Sequence, residues 1–262
     1  MEKTALYYEV HGEQGPFLLL VHGMLSSRAQ WIHNLDALKN FCRPVIIELF
    51  GHGRSSSPEN PRDYTPENYV LEFEKIRKEL DVKKWFICGQ SLGASLTLRY
   101  ALDHPEHIAG QIFTNSHSGL SDVRSDRDPD MLIRRIKEQG RKVIDEFPFH
   151  PSKGRNLPEE IRKALLDDVK KVTIEGFRDT SLYTITKSGI LPLLPATRVP
   201  TLLIAGRFEK SFVPLIRVAE KTIPGLELLL LDGGHAVNIH DADGFNQAAK
   251  RFIKGFPKED LL

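Results

Sequence analysis

At 262 residues, 40% of them hydrophobic, the chain can bury one sizeable core, and α/β chains of this length commonly fold as a single domain. Lys and Arg number 36 against 35 Asp and Glu, a net charge of +1 that excludes a strongly basic nucleic-acid surface. No apolar run approaches the roughly 20 residues of a membrane-spanning helix, Met1-Glu2-Lys3-Thr4 lacks a signal peptide's apolar core, and Cys42 and Cys88 read as reduced, buried thiols, so a cytoplasmic location is expected.

Leu6-Tyr7-Tyr8-Glu9-Val10 reads as a strand, residues 11–16 as a turn rich in breakers, and Phe17-Leu18-Leu19-Leu20-Val21 as a fully apolar strand. These two strands are expected to pair as a hairpin at one end of a sheet. The second runs into His22-Gly23-Met24-Leu25-Ser26-Ser27 and then a helix carrying Trp31, Leu35 and Leu38. His22, directly after a buried strand, reads as a structural hydrogen-bonding residue, and Gly23 permits close approach of backbone. Pro44-Val45-Ile46-Ile47-Glu48-Leu49 is the next buried strand. The glycine-rich turn after it, Phe50-Gly51-His52-Gly53-Arg54-Ser55, has neither P-loop nor dinucleotide spacing. Residues 66–80 show helical spacing at Tyr69, Phe73, Ile76 and Leu80.

Lys84-Trp85-Phe86-Ile87-Cys88 is a strand, residues 94–102 read as a helix, and Gly89-Gln90-Ser91-Leu92-Gly93 lies between them. Strand, Gly-x-Ser-x-Gly, helix is the context in which this motif forms a nucleophile elbow, with the serine at the tip of a sharp, strained turn. The N–H of Leu92, at the helix start, is placed to stabilise a developing oxyanion, and the N–H of Met24 is the candidate second donor. After the stop signal His104-Pro105, Ile112-Phe113-Thr114 forms another strand core. Strands and helices alternate and the strands are apolar throughout, the pattern of a mostly parallel sheet covered on both faces.

Residues 118–197 break this rhythm. They carry helical patterns at 131–144 and 158–177, dense mixed charge and no convincing strand, and are expected to form a helical cap inserted into a core built from residues 1–117 and 198–262. The alternation then resumes with a strand at 199–206, a helix at 213–221, a strand at 226–231 and a final helix at 241–256.

A serine hydroxyl is a poor nucleophile at neutral pH, so it needs a base and a group that orients the base. His235 follows a strand and two glycines, at the carboxyl edge of the sheet where functional loops gather. The acid is expected after the preceding strand, where Gly206-Arg207-Phe208-Glu209 offers Glu209. Its rivals are a surface pairing of Glu209 with Arg207 or Lys210, and Asp232 as the acid, three residues before His235 and too close in sequence to reach around the ring easily. Ser91, Glu209, His235 gives the order serine, acid, histidine.

With these residues in place the chain resembles the α/β-hydrolase superfamily, in its small capped branch of esterases and C–C bond hydrolases. The resemblance rests on His22-Gly23, Gly51-His52-Gly53-Arg54-Ser55, Gly89-Gln90-Ser91-Leu92-Gly93, Pro105-Glu106, residues 206–214 and Gly234-His235-Ala236-Val237-Asn238, and covers nearly the whole chain. There are departures. Glu209 stands where the family usually has Asp, the usual first strand is short or missing, and Ala236 stands where C–C hydrolases of the meta-cleavage type usually carry Trp. Serine at 91, not aspartate, counts against haloalkane dehalogenases and epoxide hydrolases. The resemblance implies acyl transfer from a small carboxylic ester through Ser91, His235 and Glu209, with no cofactor or metal. The fold also hosts thioesterases, C–C hydrolases, lyases and small-molecule receptors that retain the triad, so it does not fix the substrate.

Overall fold

The computed structural model describes residues 5–121, 129–154 and 156–257. The N-terminal tetrapeptide considered above and parts of the 118–197 segment lie outside these. Seven strands, β1 (Tyr8–Val10), β2 (Phe17–Val21), β3 (Arg43–Ile47), β4 (Trp85–Gly89), β5 (Ile108–Phe113), β6 (Thr201–Gly206) and β7 (Glu227–Leu231), form one sheet in the spatial order 1-3-2-4-5-6-7. Every neighbouring pair is parallel except β1 with β3.

The apolar strand runs feed two cores at once, because successive side chains point to opposite faces. Leu19, Val21, Trp85 and Ile87 pack against α2 (Pro66–Glu79) and α3 (Leu92–Asp103) on one face. Leu18, Leu20, Phe86 and Cys88 pack against α1 (Ile32–Leu38) and α11 (Ala242–Lys254) on the other. Between β5 and β6 come α4 (His117–Leu120), α5 (Pro129–Gln139), α6 (Lys142–Asp145), α7 (Glu159–Val169) and α8 (Ile174–Asp179), with no strand among the described residues. The remaining helices are α9 (Val213–Thr222), after β6, and α10 (Val237–His240), after β7. No helix of the described residues is long and apolar enough to cross a membrane.

The expected hairpin of the first two strands does not form. The start of β3 is wedged between them: His11 N–H donates to Pro44 O on one side (2.9 Å) and Arg43 N–H to Pro16 O on the other (2.8 Å). The physical reason is burial. β2 is apolar on both faces and takes two parallel partners, whereas the shorter β1 is only half-buried and suits the sheet edge. The two long helices expected between β5 and β6 are each divided. Gly140, at φ +56°, stops α5, and Thr173 opens α8 by accepting the Gly176 N–H at 2.9 Å.

A buried amide network ties the last part of the chain to the first. Asn238 Nδ2 donates to Gln30 O (2.8 Å) and Asn34 Oδ1 (3.0 Å), and Gln30 Nε2 donates to Asn238 Oδ1 (2.8 Å). Asn238→Ala removes the partners of the Gln30 Nε2 donor and the Asn34 Oδ1 acceptor, at about 1–3 kcal/mol for each group left unpaired. A loss of about 2–5 kcal/mol in urea unfolding is expected; a loss under about 1 kcal/mol means that the network is dispensable.

Candidate active site

The segments after β2, β4 and β7 line one cavity, and those after β5 and β6 lie next to it, where Asn115 and Glu209 meet and Glu209 reaches His235. At the end of β4 the chain reverses into α3, and Ser91 sits at the reversal with φ +53° and ψ −113°, a conformation costly for a residue with a side chain. A Cβ on Gly93 would fall onto the Val21 and His22 carbonyls, and a Cβ on Gly89 onto Gly93 O and the Thr97 hydroxyl. The glycines are thus required by the neighbouring strand end and helix, and for Gly93 not by a collision across the turn itself. A Cβ on Gly23 would lie 3.0 Å from Ser91 Cβ, so the loop after β2 passes directly against the elbow.

That loop is held by two buried histidines. His22 Nδ1 donates to Gly23 O (2.7 Å) and its Nε2 accepts the Leu49 N–H (3.0 Å). His52 Nδ1 donates to Phe50 O (2.9 Å) and its Nε2 accepts the Leu25 N–H (3.2 Å). Each bridge needs a neutral ring. Burial pushes His22 down to about 4; burial, then the neighbouring His22, pushes His52 down to about 3. The N–H groups of Met24 and Leu92, beside Ser91, have no acceptor among the described residues.

Glu209 and His235 are brought together: Glu209 Oε1 lies 2.9 Å from His235 Nδ1. The loops carrying them are zipped beyond the strand ends by Arg207 N–H to Leu231 O (3.0 Å) and Phe208 N–H to Gly233 O (2.9 Å). Asp232 points away, 67% exposed and paired with Arg207 at 2.9 Å. Burial alone would raise the Glu209 carboxyl, but hydrogen bonds from His117, His235 and Asn115 outweigh it and hold the group well below the usual carboxylate range. Gln90 Nε2 donates to His235 O (3.2 Å), joining the histidine loop to the elbow.

Ser91 and His235 line the same cavity, about 360 Å³, together with Met24, Phe149, Leu165 and Ile239. The Phe149 ring stacks on His235 with centroids 5.4 Å apart and planes 24° from parallel. Three contributions were not read from the sequence: Asn115 and His117 on the acid, and Phe149 on the histidine. The first two follow β5 at the same sheet edge, and that position was a usable signal; nothing local marks Phe149.

Cys42 and Cys88 are free and buried, and burial pushes the Cys42 thiol up to about 12. Glu74, His104 and His107 form one grouping with metal-ligand chemistry, but Arg77 takes both oxygens of Glu74 at 2.8 and 2.9 Å, so a cation already occupies that carboxylate.

A family profile described as alpha/beta hydrolase fold matches residues 16–242. Proline iminopeptidase from Saccharolobus solfataricus is 24% identical over 277 residues, spanning 95% of this chain and 88% of that protein. A thermophilic esterase from Thermogutta terrifontis superposes with a TM-score of 0.82 at 22% identity, over 98% of this chain and 94% of that one. The enol-lactonase from Burkholderia xenovorans superposes with a TM-score of 0.80 at 21% identity, over 95% and 96%. At these identities the structural likeness speaks for the fold alone.

The two buried histidines make stability acid-sensitive. Their folded pKa values lie below the unfolded value of 6.5, so below that pH the unfolded chain binds more protons. Their contribution to stability is level above pH 6.5 and falls as pH drops toward 4, with each histidine adding about 1.4 kcal/mol per pH unit inside its window. Urea midpoints measured at pH 7.5, 6 and 5 check this; identical midpoints at all three pH values would contradict it.

Proposed function

This chain belongs to the α/β-hydrolase fold family, and we propose that within it the protein is a serine hydrolase that transfers the acyl group of a small carboxylic ester to water. The observation that carries this reading is the 2.9 Å contact of Glu209 with His235 at the rim of the cavity holding the strained Ser91. Glu209 engages Nδ1 of His235 and so fixes the tautomer that leaves Nε2 as the proton acceptor. His235 takes the Ser91 proton as Oγ attacks the ester carbonyl, and the Met24 and Leu92 N–H groups receive the oxyanion. The alcohol leaves with the proton from His235, and the same base then activates water to release the acid.

The segment between β5 and β6 serves as a cap. Its Phe149 and Leu165 side chains form part of the cavity wall, beside the polar His150, Lys153 and Asn156. Ala236, where a tryptophan would mark meta-cleavage C–C hydrolases, supports the ester over a C–C bond.

Ser91→Ala removes the nucleophile and little packing, so ester turnover is expected to vanish at an unchanged melting temperature; near-wild-type turnover sinks the assignment. Glu209→Gln is expected to lower turnover severely, since the corresponding carboxylate-to-amide change in a serine protease costs about 10⁴-fold, while Asp232→Asn stays near wild type. The reverse pattern transfers the acid role to Asp232. Phe149→Ala should shift chain-length preference across a panel of chromogenic esters; an unaltered preference removes Phe149 from the specificity wall.

A further inference from the structure

We propose that His117 is a positioning residue for the relay, a second imidazole that holds the Glu209 carboxylate in place against His235. The inference rests on the serine-hydrolase reading above and assigns a role to a residue outside its three members. His117 Nε2 lies 3.3 Å from Glu209 Oε1, the same oxygen that meets His235 Nδ1 at 2.9 Å. Two imidazoles therefore converge on one carboxylate oxygen, while Asn115 Nδ2 donates to the other, Oε2.

The placement of His117 is built. It opens α4, and its ring stands edge-on to the buried Phe212 with centroids 5.5 Å apart. Ser211 Oγ lies 3.3 Å from the same Nε2. The residues just before it work on the same site: Ser116 Oγ donates to Ser91 O (2.7 Å), and Asn115 Oδ1 accepts the Gly206 N–H (3.1 Å). Three consecutive residues after β5 thus touch the elbow, the acid and the loop that carries the acid.

A glutamate has one more rotatable bond than an aspartate, so its carboxylate needs more restraint to stay against Nδ1. Donors on both oxygens supply that restraint, since an ionised carboxylate has about four acceptor sites. Among the described residues, the titratable groups on this carboxylate are His117 from α4 and His235 from the loop after β7; no Lys or Arg pairs with it.

The test compares His117→Phe, which keeps the ring shape against Phe212 but loses the donor, with His117→Gln, which keeps a donor that does not titrate. The primary readout is the His235 Nδ1–H resonance followed by side-chain NMR, a signature of the contact with Glu209 that is independent of turnover. His117→Phe is expected to shift or broaden that resonance as the carboxylate loosens, and to lower kcat about tenfold with KM within about twofold. His117→Gln is expected to recover most of kcat. An unchanged His235 Nδ1–H resonance in folded His117→Phe, or a His117→Gln variant as impaired as His117→Phe, overturns the proposal. Ser91→Ala run alongside separates the two ideas: if it keeps turnover, the hydrolase reading falls, and the NMR resonance still decides whether His117 acts on His235 through Glu209.

Discussion

The site depends on one backbone reversal. A serine at positive φ with a full side chain costs about 1–3 kcal/mol and persists only where its surroundings over-determine it. Here the Ser91 carbonyl accepts the Ala94 N–H (3.1 Å) and the Ser116 hydroxyl (2.7 Å), the Gly93 N–H closes on Gln90 O (2.9 Å), and the Gln90 N–H continues the β2 ladder onto Val21 O (2.9 Å). The elbow is thus gripped by strands on both sides of β4. Those strands must be in register and dry for the grip to hold, and for that reason the apolar runs of β2, β4 and β5, far more than any surface feature, determine where Oγ points.

The carboxylate end of the proposed relay is organised differently. Glu209 sits on a loop, and loops do not hold side chains to the tolerance that an elbow does. The compensation is lateral. The ladder between β6 and β7 runs past the strand ends through Arg207 and Phe208, and Asn115 reaches across from β5 to bind both the loop backbone at Gly206 and the carboxylate itself. Arg207 turns outward to Asp232, so the one arginine near the acid in sequence does not compete with His235 for it. A longer side chain is accommodated by more donors, and the carboxylate stays ionised despite its burial because those donors outweigh desolvation.

Much of this was legible in the sequence because it is local. Fully apolar five-residue runs followed by glycine mark buried parallel strands and their exits, and they placed β2, β4, β6 and the elbow within a residue or two. His22 was legible as structural for the same reason: a histidine directly after a buried strand has only backbone to bond. The hairpin expectation failed because pairing is not local. Val10 and Phe17 are joined by a short turn, yet β2 is more favourably flanked by two apolar strands than by a half-exposed one, and the sequence of the turn does not record that competition. Asn115 and His117 lie 94 and 92 positions before Glu209, and Phe149 reaches His235 from a helical segment whose packing no periodicity reveals.

That segment is fastened to the sheet layer by polar and apolar contacts together. Asp168 accepts the Ser27 hydroxyl at 2.7 Å, Thr184 donates to Tyr64 O at 2.5 Å, Thr173 meets Ser57 at 3.0 Å, and Gly176 presses on Gly51. Beside these, Val143, Ile144 and Phe177 pack with Leu25, and Ile161 and Leu165 pack with Ala29 and Ile239. Leu165 is therefore both cavity wall and anchor, whereas Phe149 is 53% exposed and stands on the cavity and the His235 ring. A change at Leu165 alters cavity shape and core packing at once, while a change at Phe149 alters the wall and leaves these anchors in place.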